Sequence, residues 1–373
     1  MSHALRLLHK IEVEKSDLSR RIRSLHSLIG LRCPSVARVA LALYDEPTDL
    51  LRTFASSTLQ GEPLVQYEAR LADVPSLAAL RDSRSSRVVE DVQAAFAGTA
   101  PHTAWLRGQG YCSSYTLPLF KGEHLVAFVF FDATEPGMFT PEVTSFLDPF
   151  ADIVAQLYLL RLSALNTLVG AVDIATGLAR IRDVETGRHL QRMARYARLV
   201  AERVASHFGF DDEHLEYIHL FAPLHDIGKV GIPDQLLLKP GRLSEDEQRQ
   251  MQAHVRIGTE LVDHIISDLG LGSDLAARVM HDIVAGHHER GDGSGYPLGL
   301  RLEQIPPEAR IIAVADVYDA ISSRRPYKDA WDEARCIAEM QQEADTGRLD
   351  PVCVAALLTA EAEREEIRRA LAD

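Results

Sequence analysis

Two adjacent histidines, His287 and His288, close an apolar segment and run straight into Glu289-Arg290-Gly291-Asp292-Gly293-Ser294-Gly295-Tyr296-Pro297, a turn rich in Gly, Asp and Pro. Imidazoles carried into an apolar interior cost free energy unless they are hydrogen-bonded or coordinated. The second half of the chain supplies partners for them. His225-Asp226 lies within Phe221-Ala222-Pro223-Leu224-His225-Asp226-Ile227-Gly228-Lys229, flanked by apolar residues. Glu185 and His189 stand four apart, a spacing at which two side chains share one helix face. His254 follows a loop running from Gly231-Ile232-Pro233 to Lys239-Pro240-Gly241, and Asp316 sits inside the apolar stretch from Ile311 to Ala320. A fold for this chain must either gather these dispersed groups or satisfy each one separately.

Taken singly, each has a plain explanation. Glu185 and His189 suit a solvated face, His225-Asp226 a hydrogen-bonded core pair, and Asp316 a capped turn. Taken together, five histidines and three carboxylates in separate apolar segments, with no thiolate among them, point to a cluster of cations. Nitrogen and oxygen donors in this mix favour iron, manganese or similar ions over structural zinc. Eight ligands exceed the need of one ion, so two or three ions sharing a bridging carboxylate are expected.

The balance of the chain sets the limits around that cluster. At 373 residues it is long enough for two domains, and its net charge of −14 disfavours duplex nucleic acid or an anionic membrane as a partner. Cys33, Cys112, Cys336 and Cys353 are far apart with no CxxC pair, which suits a reducing cytoplasm and argues against a zinc finger. The linear sequence shows no apolar run near the ~20 residues of a membrane span and no signal peptide, so a cytoplasmic location is expected.

Residues 1–30 read as one helix with Leu5, Leu8, Ile11, Leu18, Ile22, Leu25 and Ile29 at helical spacings, either packed on its own domain or forming a dimer seam. From about residue 35 the period changes. Val36 to Tyr44 and Leu50 to Ser57 read as a hairpin, residues 76 to 82 and Val88 to Ala97 as helices, and Tyr115 to Phe120 with Leu125 to Phe131 as a second hairpin. Leu125 to Phe131 is apolar throughout and so belongs in the middle of a sheet. Pro141 opens a long helical pattern that extends to Arg180, unbroken or interrupted near Gly170.

The order of hairpin, helices, hairpin and long exit helix over roughly residues 31–160 resembles a GAF domain, a small sensor module, although the residue set of cyclic-nucleotide-binding GAF domains is not recognisable. The isolated His102, Cys112 and His124 have no ligand spacing. The second half is similar to the HD-GYP family of HD-superfamily phosphohydrolases. The likeness rests on His225-Asp226-Ile227-Gly228-Lys229, His254, His287-His288-Glu289-Arg290, Asp292-Gly293-Ser294-Gly295-Tyr296-Pro297, Ala313-Val314-Ala315-Asp316 and Arg325-Pro326-Tyr327-Lys328. Arg324 and Arg348-Leu349 depart from the usual family pattern, which bears on substrate fit.

The resemblance implies a multidomain chain: an N-terminal helix (1–30), an α+β GAF-like domain with an antiparallel sheet and flanking helices (31–160), a connecting helix (about 142–180) and an all-α HD-type bundle within residues 161–373. It implies hydrolysis of cyclic di-GMP to linear pGpG or GMP by metal-assisted chemistry, regulated by the GAF-like domain. Carried over residue by residue, His189, His225, Asp226, His254, His287, His288 and Asp316 are metal ligands, with Asp226 bridging and Glu185 bringing in a third ion. Lys229 stands near the scissile phosphate, Arg325 and Lys328 hold substrate phosphates, and Arg290 and Tyr296 shape the rim. The alternatives are hydrolysis of another cyclic dinucleotide, or a non-catalytic receptor for cyclic di-GMP. Expected partners are a second copy, through the N-terminal or connecting helices, and signalling proteins docked on the Gly-Tyr-Pro turn.

Overall fold

The computed structural model describes residues 18–46, 48–59, 64, 67–95, 105–106, 108–180, 187–268, 274–323 and 330–371, with the backbone alone at 161–169, 171–180 and 187. The chain divides into two compact units, with the change near Ser163.

The first unit is built on a six-stranded antiparallel sheet. Its strands are β1 (Val36–Asp45), β2 (Leu50–Thr58), β3 (Glu68–Arg70), β4 (Arg87–Val89), β5 (Ser113–Lys121) and β6 (His124–Ala133). Their order is β3-β2-β1-β6-β5-β4, so both hairpins expected from the sequence form and β6 lies in the middle. Leu41 faces Ala55 on β2 and Val129 on β6. An apolar run with no polar face has no solvent side to offer, and central placement buries both faces of β6.

Helix α1 (Leu18–Gly30) packs on β1 and β2 and buries Leu18, Ile22, Leu25 and Ile29, so this part of the apolar stripe packs on its own unit. His26 is buried in that contact, with Nε2 donating to the Val36 carbonyl at 2.9 Å and Nδ1 2.8 Å from Ser57 Oγ. Residues 1–17 of the expected helix lie outside the described residues. Helix α2 (Pro75–Ser83) buries Leu77 and Leu80 beside Leu51, Leu125 and Phe128. Each such leucine contributes about 2 kcal/mol of apolar burial. A small pocket is lined by Leu51, Leu77, Trp105 and Phe130 together with Arg38 and Asp132. Arg38 and Asp132 form a buried ion pair at 2.5 Å.

Two expectations for this unit need correction. The helix from Val88 to Ala97 is instead strand β4 followed by a single helical turn, Val92–Ala95. Arg87–Val89 finds a ladder on β5, and Asp91 Oδ1 then caps the turn by accepting from the amides of Gln93 (2.8 Å) and Ala94 (3.1 Å). Helix α3 (Pro141–Arg180) is continuous through Gly170, and its part over Pro141–Leu160 is long and apolar enough, by length and composition, to cross a membrane. Its acidic residues hid that property in the linear reading. In the first unit Leu147, Ala151, Val154 and Tyr158 of this helix are buried, and Asp148 accepts from the Tyr115 hydroxyl at 2.6 Å.

The described residues of the second unit form helices joined by turns, with one isolated bridge between Asp292 and Arg301. The helices are α4 (Gly187–Phe208), α5 (Asp212–Phe221), α6 (Glu245–Asp268), α7 (Leu275–Gly286), α8 (Pro307–Ser322), α9 (Glu333–Asp345), α10 (Pro351–Leu358) and α11 (Glu361–Ala370). Helix α4 sits at the centre, contacting α8, α10 and α11 through a stripe that includes Met193, Tyr196, Ala197, Val200 and Val204. Helix α7 packs between α6 and α8. Asp350 caps α10 by accepting from the Val352 amide at 2.8 Å, with Pro351 in the first turn.

Candidate metal centre

His225 and Asp226 lie outside the α-helices. They occupy the break between two 3₁₀ turns, Ala222–Leu224 and Ile227–Gly231. Pro223 ends the regular helix before them, and Gly228 lets the second turn approach a neighbouring helix closely. A Cβ on Gly228 would lie 1.9 Å from the His254 carbonyl oxygen and 2.4 Å from the Gly258 nitrogen. The turn therefore lies backbone to backbone on α6, and this contact sets His254 opposite Asp226.

The side chains converge. His254 Nε2 is 3.2 Å and His287 Nε2 3.9 Å from Asp226 Oδ1. On the other oxygen, His225 Nε2 lies 3.2 Å and Lys229 Nζ 2.8 Å from Oδ2. Two groups result, each with ligand atoms mutually within 4.8 Å: Asp226, His254, His287 and His288, and then His189, His225 and Asp316. The carboxylate of Asp226 faces the first group with one oxygen and reaches His225 of the second with the other.

Their orientation is enforced from behind. Nδ1 of His225 lies 2.9 Å from the Ala222 carbonyl, Nδ1 of His254 2.8 Å from that of Met251, and Nδ1 of His287 3.1 Å from that of Val284. A carbonyl only accepts, so each Nδ1 carries the proton and each Nε2 presents a lone pair. The Nε2 atoms of His225, His254 and His287, and Oδ1 of Asp226, are buried without a hydrogen-bond partner among the described residues. Leaving one such atom unsatisfied costs ~1–3 kcal/mol. Several lone pairs aimed at a common space fit a bound cation and little else.

The electrostatics agree. Burial opposes charge on His225, yet the adjacent Asp226 carboxylate outweighs it and raises the imidazole to about 9, so its Nε2 sits where a positive charge is stabilised and a cation competes there with a proton. Burial drives His288 down to about 3 and His287 well below its usual value, leaving both as neutral donors. Burial also pushes the Tyr296 phenol up, and its ring lies 4.6 Å from that of His288.

The turn after His288 is held by a residue that the sequence reading passed over. Glu289 is buried and accepts from the amides of Leu298 (2.7 Å) and Leu300 (2.8 Å), closing the Gly-Tyr-Pro loop on itself. Arg290 donates to the Glu289 carbonyl at 3.1 Å, and the Gly291 amide donates to the Arg348 carbonyl at 3.0 Å. Asp319 was missed as well. It lies one turn beyond Asp316 on α8, with Oδ2 2.6 Å from Nδ1 of His189. Burial pushes its carboxyl up, but hydrogen bonds from His189 and Arg192 outweigh that and hold it below the usual range. An acid one turn from a candidate ligand, inside an apolar helix, was the available signal. Glu185, Arg325 and Lys328 lie outside the described residues, as does His102. His124 is exposed, with Nδ1 2.8 Å from Glu46 Oε2.

Comparison with known proteins places this geometry. Residues 183–353 match a family described as HD domain. The cyclic di-GMP phosphodiesterase response regulator RpfG of Xanthomonas campestris pv. campestris is 48% identical over 188 residues, covering 50% of this chain and 46% of that protein. The 3'3'-cGAMP-specific phosphodiesterase 2 of Vibrio cholerae is 34% identical over 262 residues, covering 66% of this chain and 48% of that protein. The chain spans about half the length of these curated relatives. Among solved structures, the phycocyanobilin-bound GAF domain of a cyanobacterial phytochrome matches at 17% identity with a TM-score of 0.33, covering 42% of this chain and 94% of that one. Residues 183–353, where the histidines and aspartates converge, are thus the part of the chain that is similar to the HD-domain family.

Proposed function

We propose that this protein is a metal-dependent phosphodiesterase that hydrolyses cyclic di-GMP to linear pGpG or GMP, with the sheet-bearing first unit acting as a GAF-like regulatory sensor. The observation that carries the reading is Asp226, whose two oxygens serve two imidazole groups with lone pairs turned inward. In this reading His189, His225, Asp226, His254, His287, His288 and Asp316 hold two divalent ions, and Glu185 contributes to a third. Iron or manganese suits a donor set of imidazoles and carboxylates. When bound, such ions supply Lewis-acid stabilisation of the charge that grows on a reacting phosphodiester.

The chain's own groups do the rest. Asp226 spans the two halves of the centre. Lys229, with its ammonium 2.8 Å from Asp226 Oδ2, places a positive charge beside a phosphate bound there and hydrogen-bonds one of its oxygens. Arg325 and Lys328 hold the substrate phosphates, while Arg290 and Tyr296 form the rim. Water adds to phosphorus, the bond to the 3′ oxygen breaks, and the proton passes to that oxygen.

The relative named for 3'3'-cGAMP favours a second substrate within the same chemistry. Product chromatography on both cyclic dinucleotides, with wild type and Asp226→Ala, tests the assignment. Turnover of at least one by the wild type, and loss of turnover in the variant, is expected for removal of a bridging ligand. Wild-type binding without turnover refutes the enzyme reading in favour of a receptor. An Asp226→Ala variant that keeps its metals and its rate refutes the site.

A further inference from the structure

We propose that Asp319, held by Arg192, is a positioning residue for His189: it fixes that imidazole with its proton on Nδ1, so that Nε2 is presented towards His225 and Asp316. The inference rests on the metal reading above and adds to it a residue that the sequence resemblance did not assign. Asp319 is 1% exposed and His189 3%. Besides His189, the carboxylate accepts from Arg192 Nε at 2.5 Å, Arg192 Nη2 at 3.2 Å and Ser323 Oγ at 3.1 Å. A carboxylate supplied by this many donors stays ionised and only accepts, so the imidazole nitrogen facing it must carry the proton.

His189 is therefore set differently from its neighbours. His225, His254 and His287 lean on backbone carbonyls three residues earlier in the chain, which the local turn supplies. His189 leans on an anion from another helix, so its orientation depends on tertiary packing rather than on its own turn. Arg192 follows His189 by three residues on α4, and its Nη1 donates to the Leu371 carbonyl at 2.9 Å. The orientation of one imidazole thus depends on α4, on α8 and on the chain just past α11.

The test uses the full chain, freed of metal and reloaded with Mn²⁺, in four forms: wild type, Asp226→Ala, Asp319→Asn and the double variant Arg192→Met with Asp319→Leu. Bound Mn²⁺ and its affinity by chelator competition are measured on each. Nitrogen NMR of histidine-labelled, metal-free protein reads the His189 tautomer, with His189→Gln giving the assignment. In Asp319→Asn one equivalent of Mn²⁺ should bind about 10- to 100-fold more weakly, and the His189 signals should move from the Nδ1-protonated pattern to a mixture. The double variant removes both members of the buried Arg192–Asp319 pair, so it keeps the test alive if Asp319→Asn does not fold. It should show the same two changes.

Wild-type Mn²⁺ affinity in either variant, with the tautomer unchanged, overturns the proposal. If wild type and Asp226→Ala bind Mn²⁺ alike, the metal reading is what fails. In that event the tautomer signals alone decide for or against Asp319.

Discussion

Replacing Gly228 with Ala tests whether the backbone contact between the second 3₁₀ turn and α6 builds the centre. The added Cβ would sit 1.9 Å from the His254 carbonyl oxygen, and ordinary contact begins at 3.4 Å, so the two segments must part by about 1.5 Å. The atoms it would meet belong to the backbone, which cannot swing aside as a flexible side chain would. Overpacking of this kind costs ~1–3 kcal/mol, a loss the bundle should survive. The displacement matters more, because it falls directly between Asp226 and His254, whose ligand atoms are 3.2 Å apart. A misplacement of about 1 Å in a reacting constellation costs on the order of 100-fold in rate. Gly231→Ala is the control, since the atoms nearest its Cβ all belong to the Ile257 side chain, the first at 2.9 Å, which can turn away. The assay is phosphodiester turnover with metal content and thermal unfolding on the same samples. Gly228→Ala should stay folded, bind less metal and lose about 100-fold or more in rate, while Gly231→Ala stays within a few-fold of wild type. Equal metal content and rate in Gly228→Ala would refute the claim that this contact sets the geometry.

Glu289→Gln should loosen the Gly-Tyr-Pro loop, because an amide offers one acceptor where the amides of Leu298 and Leu300 need two. The cost should be ~1–3 kcal/mol. Faster proteolytic cleavage between Gly291 and Leu300 checks it, and an unchanged cleavage rate counts against the clamp. In the first unit, burial holds His26 below 6.5 against the opposing hydrogen bonds to Val36 and Ser57. Its folded form therefore takes up a proton less readily than the unfolded chain, so stability is intact above pH 6.5 and declines as pH falls below it. Urea midpoints from Trp105 fluorescence in a Trp331→Phe background should drop between pH 7.5 and pH 5.5, and His26→Gln should flatten that drop.

Much of this was legible in the residues, and what was not has physical reasons. The two hairpins followed from their turns, and the apolar run Leu125 to Phe131 from its want of a polar face. Strands β3 and β4 are three residues each, too short to show a period; they exist because β2 and β5 offer them an edge. The converging histidines could be picked out as polar groups in apolar surroundings. Their backbone could not, since Pro223 and Gly228 turn a helical-looking segment into two 3₁₀ turns. The i,i+3 spacing still brought Lys229 to Asp226. Glu289 and Asp319 escaped notice because a supporting acid has no spacing of its own. Its position is defined by the amides and imidazole it serves, which only tertiary contact reveals.

The break that holds His225 and Asp226 also ties two neighbourhoods to one peptide unit. Each residue faces a different set of imidazoles, yet they share a single bond along the chain. A twist of that backbone by a few degrees would widen one neighbourhood as it narrows the other. The two halves should therefore respond in opposite senses, and changes in the surrounding helices will register as a graded shift of the balance between them.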